Sequence, residues 1–242
     1  MPMNTKEKIN LVWLKRDLRL HDNEAISNAV KNGKRFLIFY AFETILLNDP
    51  HYNNRHWNFI KQSLVDINIE LKEHESKILS VTSDVIGLCN QIQNFYTIET
   101  IYSHQETGIL TTYTRDKEFK RYCRNNNIDW KENINNGVQR GIQHRENWFD
   151  GWETFMNQKL EVFNPLNNQL LNIDDIITLE NISNPATLET STNVKFQKGG
   201  RSLGYRYLNS FFKERHKDYM FNISKFICNC MYYFYKPLLI TS

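Results

Sequence analysis

The feature that most constrains this chain is a repeated alternation of short, nearly continuous apolar runs with longer amphipathic stretches. Ile9 to Leu14 is apolar except for Asn10, Phe36 to Phe42 reads FLIFYAF, and Ile78 to Thr82, Ile98 to Ser103 and Ile128 to Lys131 follow. Runs of that length without polar alternation fit strands buried on both faces, as in a parallel sheet. Between them lie helical patterns. Ala25, Ile26, Ala29 and Val30 share one face of a helix that begins at Asp22 or Asn23 and stops at Gly33. Trp57, Ile60, Leu64, Ile67 and Leu71 recur at three-and-four spacing, Val85, Leu88, Cys89 and Ile92 follow a cap at Ser83 or Asp84, and a further helix runs from about Leu110 to Arg124. Five strands joined by helices imply right-handed crossovers and a Rossmann-like, five-stranded parallel α/β sandwich over roughly residues 1–135.

The chemistry of such a sheet belongs at the carboxyl ends of its strands. After strand one the chain reads Lys15, Arg16, Asp17, Leu18, Arg19, Leu20, His21, Asp22, Asn23, a dense cluster of ionisable groups at a strand-to-helix handover. Taken by itself the cluster is a salt-bridged turn, with Asp22 or Asn23 capping the next helix. There is no G-x-G-x-x-G after strand one and no Walker loop, so the two commonest phosphate cradles are missing. After strand four the chain reads Tyr102, Ser103, His104, Gln105, Glu106, Thr107, Gly108. Alone, this is a solvated loop turned by Gly108, with an exposed His104.

Trp13 to Asn23, W-L-K-R-D-L-R-L-H-D-N, resembles the opening signature of the DNA photolyase and cryptochrome family. The resemblance implies that strands one and four are neighbours, so that Arg16 and Asp17 face the same crevice as Gln105 and Glu106. It implies a light-harvesting antenna there, of folate or deazaflavin/flavin type. Gln105 would pair with a ring amide by its own amide, and Glu106 would accept from ring N–H groups. Thr114, Arg115 and Asp116 also resemble the family, in a buttressing role.

From Gly137 to Trp148 the sequence resembles the family's exit from the sheet domain, and from Gly151 to Val194 the periodicity fades into a connector holding at most short helices. The connector, residues 136–194, leads to a stretch around Gly199-Gly200-Arg201 that resembles the first helix of the family's all-α domain, which holds FAD. By its spacing from that helix, Tyr219 falls where the family has a tyrosine contacting FAD. Read without the family, Lys195 to Lys217 interleaves basic and aromatic residues, a pattern suited to nucleic acid or, more simply, to a helix with one face in a core. The family's next segment, S-R-L-S-P, does not follow. Residues 226–242 read instead FICNCMYYFYKPLLITS, and the change after Lys225 is that of an out-of-frame tail. A membrane anchor would be too short and is interrupted by Asn229, Lys236 and Pro237, and Cys228-x-Cys230 has no second ligand pair for a metal.

The net charge of +3 is too small to announce a nucleic-acid partner, and four scattered cysteines suit a reducing compartment. A soluble, cytoplasmic, monomeric protein is expected, without a membrane span. The resemblance implies light-driven repair of pyrimidine dimers in damaged DNA for an intact member. This chain, short of most of the FAD domain, is expected to be inactive in repair. A cryptochrome-type blue-light receptor and a stand-alone chromophore-binding module are the alternatives.

Overall fold

The computed structural model describes residues 6–138, 140–142, 144–172, 186–190 and 196–218. Strand β1, Lys8–Trp13, is buried from its second residue onward. It lies at the centre of a five-stranded sheet with β2 (Phe36–Ala41), β3 (Leu79–Val81), β4 (Thr97–His104) and β5 (Asp129–Asn133) in the order β3-β2-β1-β4-β5. All four pairings are parallel.

Period-two alternation divides β1 between two cores. Ile9, Leu11 and Trp13 join Leu37, Phe39, Ile101 and the inner faces of α4 (Val85–Gln93) and α5 (Leu110–Asn125). Val12 and Leu14 join Ile38, Tyr40 and the inner faces of α1 (Glu24–Asn32) and α3 (Asn54–Leu71). The result is the expected three-layer arrangement, each fully buried aliphatic contributing on the order of 1.5–3 kcal/mol. Element ends agree with the sequence reading to within a residue or two. Asn23 caps α1 by accepting from the Ile26 N–H, Gly33 closes it at φ 80°, and Asp84 caps α4. A single helical turn, α2 (Thr44–Leu47), was not legible from periodicity because it spans only four residues.

Beyond β5 the structure adds detail to the sequence reading. Helix α6, Trp148–Met156, is a short helix of the connector, with Trp148, Trp152 and Phe155 at three-and-four spacing and none of its residues fully buried. Residues 161–171 then return to the sheet. The Phe36 N–H donates to the Gln169 carbonyl and the Leu171 N–H to the Phe36 carbonyl, both at 2.9 Å, so this strap occupies the side of β2 just before β3 begins. Leu170 and Leu171 enter opposite cores, as neighbouring residues of a strand do.

Helix α7, Arg201–Lys213, docks on α3 through a close approach. The Gly199 N–H donates to Gln62 Oε1 at 2.8 Å and the Ser202 N–H to Asp66 Oδ2 at 3.0 Å. A Cβ on Gly199 would collide with the Phe59 carbonyl oxygen and sit 2.7 Å from Ser63 Oγ. Gly200, at φ 113°, holds a conformation side chains avoid. Tyr219 and residues 226–242 lie outside the described residues.

Candidate functional site

The chain leaves β1 for β2 on one side and returns to β4 on the other, so the gap between β1 and β4 is the topological switch point. Three loops meet there. Lys15, Arg16 and Asp17 follow β1, Glu43 follows β2, and Gln105 and Glu106 follow β4, while Arg115 and Asp116 come from the first turns of α5.

These residues sort into two groups. The first is a buried ionic floor. Lys15 Nζ lies 3.3 Å from Asp116 Oδ2, and Arg115 pairs with Asp116 at 2.9 Å, with Glu43, and with Glu106 at 3.9 Å. The two cations also flank one indole: Lys15 Nζ sits 4.4 Å from the centre of the Trp13 ring and the Arg115 guanidinium carbon 4.7 Å. Burial lowers the affinity of Lys15 for its proton and raises that of Glu43, and Asp116 and Arg115 respectively oppose those effects. Glu43 is 2% exposed. Its Oε1 and the Gln105 Oε1 are buried without hydrogen-bond partners among the described residues.

The second group pins the loop itself. Asp17 is buried, with its Oδ2 2.5 Å from His104 Nδ1 and 3.1 Å from the Asn23 amide nitrogen, and its Oδ1 accepts from the Lys15 N–H at 3.2 Å. Burial pushes the Asp17 carboxyl up, but His104, Arg19 and the Lys15 N–H outweigh it and hold the group well below the usual carboxylate range. His104 is thus 3% exposed and clamps the end of β4 to the loop after β1, where a solvated loop would have left it in water.

The structure brings Arg16 and Glu106 together at the crevice, while Gln105 is held by its main-chain N–H, which donates to the Asn133 carbonyl at 2.8 Å. Arg16 Nε lies 3.0 Å from Glu106 Oε1, and Arg16 Nη2 donates to the Tyr52 hydroxyl at 3.3 Å. Asp17 sits beneath them with its oxygens already engaged. Tyr219 is not among the described residues. Glu43 and Tyr52 escaped the sequence reading; asking which acid follows each strand would have found Glu43.

On the far side of the same loop, His21 and Asp22 hold the strap. The Asp22 N–H donates to the Glu161 carbonyl at 2.6 Å, the Phe163 N–H donates to His21 Nδ1 at 3.2 Å, and His21 Nε2 lies 2.6 Å from Glu70 Oε1.

Residues 10–139 match the DNA photolyase family pattern, which is more than half of the chain. The chain belongs to the DNA photolyase family. Among relatives of this photolyase-family chain is a cryptochrome DASH of Synechocystis, 31% identical over 101 residues, a match spanning 40% of this chain and 21% of that protein. A deoxyribodipyrimidine photo-lyase of Alkalihalophilus pseudofirmus is 24% identical over 111 residues, 43% of this chain and 22% of the relative. The fold is shared with the crystal structure of a Synechocystis cryptochrome, at a TM-score of 0.70 and 21% identity over 90% of this chain and 49% of that one. It is shared too with an archaeal photolyase from Sulfolobus tokodaii described with two FAD molecules and a novel light-harvesting cofactor, at 0.62 and 19% over 83% and 46%. The chain spans about half the length of these solved structures and about a fifth of the curated relatives.

Proposed function

We propose that the crevice between β1 and β4 binds a flat heterocyclic antenna chromophore, of folate or flavin type. The observation that carries this reading is the pair of buried acceptors, Gln105 Oε1 and Glu43 Oε1, that have no partner among the described residues at the switch point of the sheet. Buried polar atoms are nearly always satisfied, and ring N–H groups are donors of the right kind. Glu106 is a third acceptor, and Gln105 can both accept and donate toward a ring amide. Arg115 keeps the floor charged and rigid by holding Glu43 and Asp116. Bound antennas absorb near-ultraviolet or blue light and pass the excitation to a flavin; the protein supplies position and environment.

In a chain that carries a complete flavin-binding half, this domain would serve light-driven repair of pyrimidine dimers in DNA, with FAD as the reacting cofactor and Tyr219 among its contacts. The name of the 31% identical relative, a cryptochrome, favours a blue-light receptor as the second reading. None of the described helices is long and apolar enough to cross a membrane.

The purified chain, incubated with methenyltetrahydrofolate or riboflavin and passed through gel filtration, should carry an absorption band beyond that of its aromatic residues. Glu106→Ala should abolish it. Unchanged binding in that variant would remove Glu106 from the site. Aromatic absorption alone, with either probe and with Arg16 present or removed, would overturn the reading.

A further inference from the structure

Glu106 is not open to a ligand. Its side chain is 6% exposed, and the group that covers it is Arg16, whose own side chain is 37% exposed. The Arg16 guanidinium bridges three loops: its own after β1, Glu106 after β4 at 3.0 Å, and Tyr52 between β2 and α3 at 3.3 Å. Tyr52 is itself held by stacking on Trp57, with ring centres 4.9 Å apart. Gly108 completes the enclosure. A Cβ at that position would collide with Arg16 Nη2 and lie 2.9 Å from Glu106 Oε1, so the chain passes directly over the ion pair.

We propose that Arg16 is an internal competitor for Glu106, a gate that must swing away before a chromophore can use that carboxylate. The inference rests on the antenna reading and adds its regulation. The asymmetry of the pair favours this direction. Arg16 reaches Glu106 from the solvent side and can return to water, whereas Glu106 is backed by Arg115 at 3.9 Å and stays where it is. A ligand offering ring N–H groups replaces the guanidinium donors one for one, so the acceptor is never left without a partner. The apparent affinity for such a ligand is then reduced by the fraction of time the gate is open.

This role is opposite in sign to that of a residue that contacts the ligand, and the difference is measurable. Association of riboflavin and of methenyltetrahydrofolate would be followed by stopped-flow fluorescence in the wild type and in Arg16→Ala and Glu106→Ala. Removing the guanidinium should speed association by roughly tenfold, the scale of one charge-assisted hydrogen bond. Riboflavin is uncharged, so a rise in its association rate with salt in the wild type, absent from Arg16→Ala, would report screening of the gate itself. That salt signature is one a purely structural arginine would not produce. Binding seen only once Arg16 is removed is the extreme form of the same result. Weaker or slower binding in Arg16→Ala would make Arg16 a ligand contact, and an unchanged rate would leave it irrelevant to entry; either overturns the gate while the antenna reading stands. Unchanged binding in Glu106→Ala counts against Glu106 as a ligand, and with it the gate. Absence of binding in the wild type and in every variant overturns both.

Discussion

One loop, residues 15–23, is held on its two sides by different kinds of force, and the contrast explains how the site is built. Toward the crevice the loop is fixed by polar groups withdrawn from water: the Asp17 carboxylate hydrogen-bonded to His104 and the Asn23 amide, and Lys15 paired with Asp116. Toward the strap it is fixed by main-chain hydrogen bonds, by the half-exposed His21 and Glu70 pair, and by apolar side chains led by Phe163. Buried ion pairs are costly to form and more costly to break by halves, which makes the crevice side rigid and intolerant. The strap side rests on apolar burial and backbone pairing, which fail gradually and respond little to pH.

The largest expected effect is on the crevice side. Asp17→Asn leaves His104 beside a neutral amide in a buried setting and should cost about 3–5 kcal/mol in urea unfolding at neutral pH. The same group gives the contrast a pH axis. A carboxyl held below its usual range stabilises the fold fully above about pH 4, its unfolded-state value, and loses that contribution as pH falls toward the depressed folded-state value. Wild-type unfolding free energy should therefore drop below about pH 4, and the drop should be smaller in Asp17→Asn. A variant with the wild-type acid profile would show that Asp17 does not carry the linkage.

On the strap side, Phe163→Ala removes an aromatic that is 8% exposed and ringed edge-on by His21 and His74. The expected loss is about 3 kcal/mol, by the same unfolding measurement, with no change in the acid profile. If Phe163→Ala reshaped that profile, the two sides of the loop would be coupled and the distinction drawn here would fail. Weaker again is Glu70→Gln, which breaks a pair about one-third exposed at both partners. A loss of about 1 kcal/mol or less is the expectation for this hydrogen bond; a loss matching that of Asp17→Asn would place His21 among the rigid contacts instead.

The same contrast decides what could be read in the sequence. The sheet was legible because burial on both faces leaves unbroken apolar runs such as Phe36 to Phe42, and because Asn23, Gly33 and Asp84 are local signals that act within one turn of chain. The strap was not, since the hydrogen bonds from Phe36 and Leu171 use backbone groups that every residue possesses. The crevice lay between these extremes. Arg16 and Glu106 could be placed at one edge by strand order, which implied their shared crevice. That Arg16 lies on Glu106, and that Asp17 turns down to meet His104, depends on partners 90 and 87 residues away in sequence whose side-chain directions no periodicity encodes.

The docking of α7 has a consequence for how such a protein comes into being. A helix ordinarily starts on a side chain of its own, but Gly200 has none, and the first turn of α7 is closed by Gln62 and Asp66 of a helix laid down some 136 residues earlier. During synthesis the sheet layer emerges first, so the receptor for the later helix is in place before that helix leaves the ribosome. Transplanting the helical part onto another parallel α/β sheet would strip it of its first anchor, and a lineage that kept Gly199 and Gly200 would be obliged to keep Asp66 with them.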